Sequence, residues 1–132
     1  MNTEILSYTE RAIKTQGVMK LYQDVSWWGE RQEQDIEEML IKGLSVGAWV
    51  DGTLVGFARA VSDGKFRAYV EDVVIHSSYR KEHIGTKLVS KLLDELSHID
   101  VISLFCEEHL IPFYEKNSFK YSKSQFIMHK KQ

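Results

Sequence analysis

Residues 69–88, YVEDVVIHSSYRKEHIGTKL, constrain the fold of this chain more than any other stretch. An extended apolar run over 70–75 carries Val70, Val73, Val74 and Ile75, and a short polar loop with Arg80 and Gly85 follows. The period then changes. Ile84, Leu88, Leu92 and Leu96 fall four apart, Val89 and Leu93 widen the stripe, and Lys87, Ser90, Lys91, Asp94 and Glu95 lie mostly opposite. That pattern predicts an amphipathic helix over 84–97. A strand feeding a loop feeding a helix start gathers unpaired backbone N–H groups at the positive end of the helix dipole. A phosphate-bearing ligand is the first class it suggests.

The neighbours extend this unit. VISLF, residues 101–105, reads as a short buried parallel strand after a crossover helix, so strand 67–75, helix 84–97 and strand 101–105 form a right-handed βαβ unit. Upstream, Asp51-Gly52 and the turn 62–64 separate strands at 45–50, 54–61 and 67–75, an antiparallel meander. A short strand at 4–8 and helices over 10–23 and 30–42 precede it, the second stopping at Gly43. A short helix over 109–117 and a final strand over 121–129 complete the order. The sheet is expected to be mixed, antiparallel first and parallel in the middle.

Bulk numbers narrow the function classes. A chain of 132 residues with 43% apolar and 27% charged residues suits a single domain over 1–132. Seventeen basic against nineteen acidic residues, a formal charge of -2, give no reason to expect a nucleic-acid or membrane partner. One cysteine, Cys106, excludes an internal disulfide, and the scattered histidines have no metal-ligand spacing, so no metal is expected. The first residues lack the apolar core of a signal peptide, and no run approaches a membrane span, so the expected location is cytoplasmic.

Two motifs together carry a resemblance. VVIHSSYRKEHIGTKL is similar to the acetyl-CoA loop of the GNAT superfamily of N-acetyltransferases, Arg/Gln-x-x-Gly-x-Gly/Ala after a strand, with Arg80 in the first place and Gly85 in the last. IPFYEKNSF, residues 111–119, resembles the family's tyrosine, lysine and phenylalanine segment, with Tyr114, Lys116 and Phe119 in those places. The element order from about residue 10 onward matches as well. The chain departs at His83, where the family usually has its middle glycine, at Lys81, and at Ser118. These departures keep a non-catalytic CoA-binding module open as the alternative to an enzyme.

The resemblance implies an α/β (α+β) fold with a mixed, mostly antiparallel sheet, a central βαβ unit and helices on both faces. It implies acetyl-CoA as cosubstrate and a primary amine of a small molecule or peptide as acceptor, attacked directly in a ternary complex. The pyrophosphate would meet the backbone of Arg80, Lys81, Glu82, His83, Ile84, Gly85 and Thr86. The pantetheine arm would lie along Val73, Val74 and Ile75, with an N–H there as oxyanion donor. Tyr114 would donate to the departing sulfur. Strand alternation lets only one of Glu71 and Asp72 face the site unless a bulge intervenes; Glu71 is taken as base, and Asp72 as a substrate-orienting or loop-holding group. His76 is an alternative base that lies near the phosphate loop. Trp27 and Trp28 would border the acceptor, with at least one expected to pack in the core beneath the helices. The final strand suggests a possible homodimer interface.

Overall fold

The computed structural model describes residues 2–132, except the side chains of Lys81 and Glu82, whose expected roles at the phosphate loop lie outside the described residues. In chain order the elements are β1 (Thr3–Ser7), α1 (Thr15–Asp24), α2 (Glu33–Lys42), β2 (Leu44–Val50), β3 (Thr53–Ser62) and β4 (Arg67–Ile75). A 3₁₀ turn (Ser77–Glu82), α3 (Ile84–Glu95), β5 (Val101–Leu104), a second 3₁₀ turn (Glu108–Leu110) and α4 (Ile111–Glu115) follow. The sheet runs β1-β2-β3-β4-β5, antiparallel through β4, with β5 parallel to β4.

The four-residue period does what it predicts. Ile84, Leu88, Leu92 and Leu96 are buried with Val46, Val55, Ala58 and Val70, seating α3 on one sheet face. On the other face Ile13, Val18, Leu21, Tyr22, Ile36 and Leu40 pack with Trp49, Phe57 and Val74. Helices therefore cover both faces of a mixed sheet, as expected.

The boundaries differ where a side chain finds a better partner than helix solvation. The first helix begins at Thr15 rather than near Glu10. Glu10 instead closes a turn: its carboxylate accepts from the Ser7 N–H and hydroxyl, both at 3.0 Å, and pairs with Lys91 of α3 at 2.8 Å. The second begins at Glu33 rather than Glu30, because residues 26–31 form an irregular loop tied to β4. The strand at 101–104 is the edge of the sheet and not a buried strand, with Val101 40% exposed.

The expected strand over 121–129 does not form. The Ser122 hydroxyl accepts the N–H groups of Ser124 and Gln125 at 3.2 and 2.8 Å and turns the chain. The alternating Phe126 and Met128 then meet no sheet face, and stand 84% and 92% exposed. The strand basis for a homodimer interface is absent with it.

Candidate active site

The site begins at a break in β4. Phe57 pairs with Val74 and Arg59 with Glu71, so two steps along β3 face three along β4. The extra residue is absorbed at Asp72, whose φ is +53°. This is a β-bulge, and it suspends the alternation that would send Glu71 and Asp72 to opposite faces. Both carboxylates line one cavity.

Their situations differ. The Asp72 side chain is 3% exposed and accepts from Arg59 Nε at 2.7 Å, Tyr22 Oη at 3.0 Å, Trp28 Nε1 at 3.1 Å and Arg31 at 3.2 Å. Burial alone would raise its carboxyl; Arg59's hydrogen bond and charge, with Tyr22 and Arg31, outweigh that and hold it below the usual range. Asp72 is thus spent on internal donors and fastens the loop carrying Trp28. Glu71 is a third exposed, with a single contact of 3.7 Å to Arg59.

Neither tryptophan packs in the core: Trp27 is 38% and Trp28 40% exposed. Trp28 has φ +55°, its indole N–H is committed to Asp72, and the Arg31 guanidinium lies 3.9 Å from its ring centroid. The aromatic loop is exposed because this network, and not burial, holds it.

β5 pairs with β4 only along Arg67–Val70, opposite Val101–Leu104. Past Val70 the strands part, and two cavities open. One, of about 520 Å³, is lined by Trp27, Trp28, Tyr69, Glu71, Asp72, Val73, Phe105, Glu107, Leu110 and Tyr114 among others. The second, of about 470 Å³, includes Trp27, Val73, Val74, Ile75, Arg80, His83, Gly85, Thr86, Phe113, Tyr114 and Lys116. Among the described residues the first has carboxylates and no cation, and the second has cations and no carboxylate. Trp27, Val73, Leu110 and Tyr114 belong to both.

The loop before α3 is held by two side-chain acceptors, the Asp24 carboxylate and the His76 ring. The Ser77 N–H and hydroxyl donate to Asp24 at 2.8 and 3.0 Å, and the Ser78 N–H donates to His76 Nδ1 at 3.1 Å. The Ser77 N–H holds the Asp24 carboxyl below its ordinary range. His76 Nε2 lies 3.5 Å from Asp24, which gives this histidine to the loop. Among the described residues no side chain caps α3, and His83 at its N-cap position makes no side-chain hydrogen bond to the first turn. Ile84 is 2% exposed, its side chain packed in the core beneath the loop.

The glycine pattern acquires a physical reading. His83 sits at φ +59°, ψ +17° and Ser118 at φ +68°, left-handed positions that favour glycine. Both are places where the sequence lacks the glycine of the family pattern. Gly85 has a different reason. A Cβ there would meet the Phe113 ring at 3.0 Å, so glycine lets α4 lie against α3. Asn117 Nδ2 donates to the Thr86 carbonyl at 3.2 Å and fixes the same contact.

Tyr114 is thereby placed at the meeting of the two cavities. Its ring packs edge-on to Phe113 at 4.8 Å and to Phe119 at 6.1 Å. Burial, with a smaller contribution from Cys106, pushes its phenol up to about 12, so it keeps its proton at neutral pH. Sequence reasoning missed Arg31, Arg59 and Tyr22 as the anchors of Asp72, and Phe105, Glu107 and Leu110 in the first cavity. Arg59 carried a signal: a lone cation inside the apolar run of β3 requires a buried partner.

The acetyltransferase (GNAT) family model matches residues 9–119. An uncharacterized N-acetyltransferase, ycf52, of Pyropia yezoensis is 41% identical over 68 residues, 50% of this chain and 39% of that protein. The chain thus spans less than half the length of this curated relative. A GNAT family acetyltransferase of Streptococcus pneumoniae superimposes with a TM-score of 0.81 at 25% identity, covering 99% of this chain and 100% of the other. A probable acetyltransferase of Staphylococcus aureus gives 0.83 at 15% identity over 99% and 100%. With the model spanning the bulge, the helix-start loop and Tyr114 together, this chain belongs to the GNAT acetyltransferase family.

Proposed function

We propose that the chain is an acetyl-CoA-dependent N-acetyltransferase acting on a primary amine of a small molecule or peptide, by direct attack in a ternary complex. One observation carries this reading: a cation-lined cavity at a helix start and a carboxylate-lined cavity meet at Val73 and Tyr114. The residues fit acetyl-CoA. Arg80, His83, Lys116 and the start of α3, which no described side chain caps, suit phosphates, and β4 past Val70 has an edge unpaired by β5 for an extended arm. When bound, acetyl-CoA supplies the thioester-activated acetyl group.

The chain's own groups then divide the work. A backbone N–H within residues 73–75 is the oxyanion donor. Glu71 draws a proton from the ammonium through water, freeing the lone pair. As the N–C bond forms and the C–S bond breaks, Tyr114 Oη donates a hydrogen bond to the sulfur. The nitrogen's surplus proton passes through water to the departing thiolate, so the products are the amide and the free thiol of CoA. A phenol raised to about 12 is a far weaker acid than an ordinary thiol near 8.5, so Tyr114 serves as donor rather than full proton source.

The test follows free thiol release from acetyl-CoA with an amine panel, alongside calorimetric CoA binding. Tyr114→Phe is expected to lower kcat about 100-fold while CoA affinity stays within about twofold. An unchanged kcat removes its role.

A further inference from the structure

We infer that the acceptor is a small aromatic alkylamine, one protonatable primary amine on a flat ring system with no carboxylate or phosphate; this rests on the acetyl-transfer reading of the same site. The charges around the first cavity favour a cationic acceptor. Among the described residues the one ion pair of Glu71 is its 3.7 Å contact to Arg59, whose Nε is already on Asp72. Glu107 is exposed and makes no ion pair among the described residues. The nearby cations, Arg31 and Arg59, are both committed to Asp72. A protonated amine therefore finds carboxylates with free lone pairs, while an anionic group finds two like charges and no counter-ion.

Shape gives the second half. Tyr69 and Phe105 pack edge to face at 4.7 Å and 87°, forming one wall. Trp27 and Trp28 line the same cavity, with Trp28 held by Asp72 and Arg31 rather than free to fold away. A cavity of about 520 Å³ is of small-ligand size. An aliphatic polyamine would satisfy the carboxylates and leave these rings unused. An aryl group in this cavity would meet the aromatic lining while its amine meets Glu71 and Tyr114 of the same lining.

The experiment compares tryptamine and phenethylamine with hexylamine, spermidine, phenylalanine, glucosamine 6-phosphate and a lysine peptide, using the full chain, acetyl-CoA and thiol release. The aromatic amines should exceed every other acceptor about tenfold or more in kcat/KM. Glu107→Lys should raise KM for tryptamine about fivefold or more and leave KM for acetyl-CoA unchanged. A better anionic, aliphatic or peptide acceptor overturns the inference and leaves the transferase reading standing. So does CoA binding with no aromatic amine acetylated, or a Glu107→Lys enzyme with an unaltered tryptamine KM. Loss of CoA binding itself overturns the proposed function, and the inference falls with it.

Discussion

The two cavities that meet at Tyr114 are built by opposite means. On the helix-start side the proposed ligand donors are main-chain N–H groups at a 3₁₀ turn and the start of α3, with Arg80, His83 and Lys116 lining the cavity. On the bulge side the groups are side chains, held by a buried carboxylate with four donors. Backbone-built sites tolerate substitution of their side chains. Side-chain-built sites fail when one member is removed. The halves of this molecule should therefore respond very differently to mutation.

The largest effect is expected at Asp72. Asp72→Asn leaves Arg59, 16% exposed, with only the longer 3.7 Å contact to Glu71 and should destabilise the protein by about 3 kcal/mol. Urea unfolding measures it. The same group sets an acid limit. Its pKa is depressed on folding, so its contribution is complete above the ordinary carboxylate value near 3.9 and disappears as pH falls through the lower folded value. The variant's stability should fall less steeply than wild type below pH 4. Equal slopes would mean that Asp72 is not the acid-sensitive group.

The helix-start side should be gentler. Arg80→Ala and Lys116→Ala are each expected to weaken CoA binding about 3–10-fold, with an effect that shrinks in high salt and no change in thermal stability beyond about 0.5 kcal/mol. Calorimetry at two salt concentrations reads it. A loss comparable to that of Asp72→Asn would erase the contrast between the two sides.

The smallest effect is the most particular. His83→Gly removes a side chain from a left-handed position and adds unfolded-state freedom, a net gain of about 0.5–1 kcal/mol and a rise in Tm of about 2–4 °C. A lower Tm would show that the exposed imidazole has a stabilising partner.

What was legible in the chain follows the same division. The period of Ile84, Leu88, Leu92 and Leu96, the Asp51-Gly52 hairpin and the strand at 67–75 are local signals, and each appears where expected. The position of the loop before α3 was legible for that reason, since the strand and the helix that bound it are announced by local period. The bulge was not. Nothing in VEDVV states that Asp72 will take φ +53°; the partners that stabilise it lie 13, 41, 44 and 50 residues away. The tryptophans misled for the same reason, their aromatic character suggesting burial when a distant carboxylate fixes one of them. In the last segment, alternating Phe126 and Met128 suggested a strand, but the Ser122 turn gives that alternation no sheet to join.

Residues 26–31 are fastened at both ends, by Asp24 on Ser77 before them and by Trp28 and Arg31 on Asp72 within them. A loop pinned twice has already surrendered most of its conformational freedom before any ligand arrives. Association at this wall then costs chiefly the stripping of water from Glu71 and the rings, so acceptor affinity should track the hydration of the amine and change little with loop glycine content.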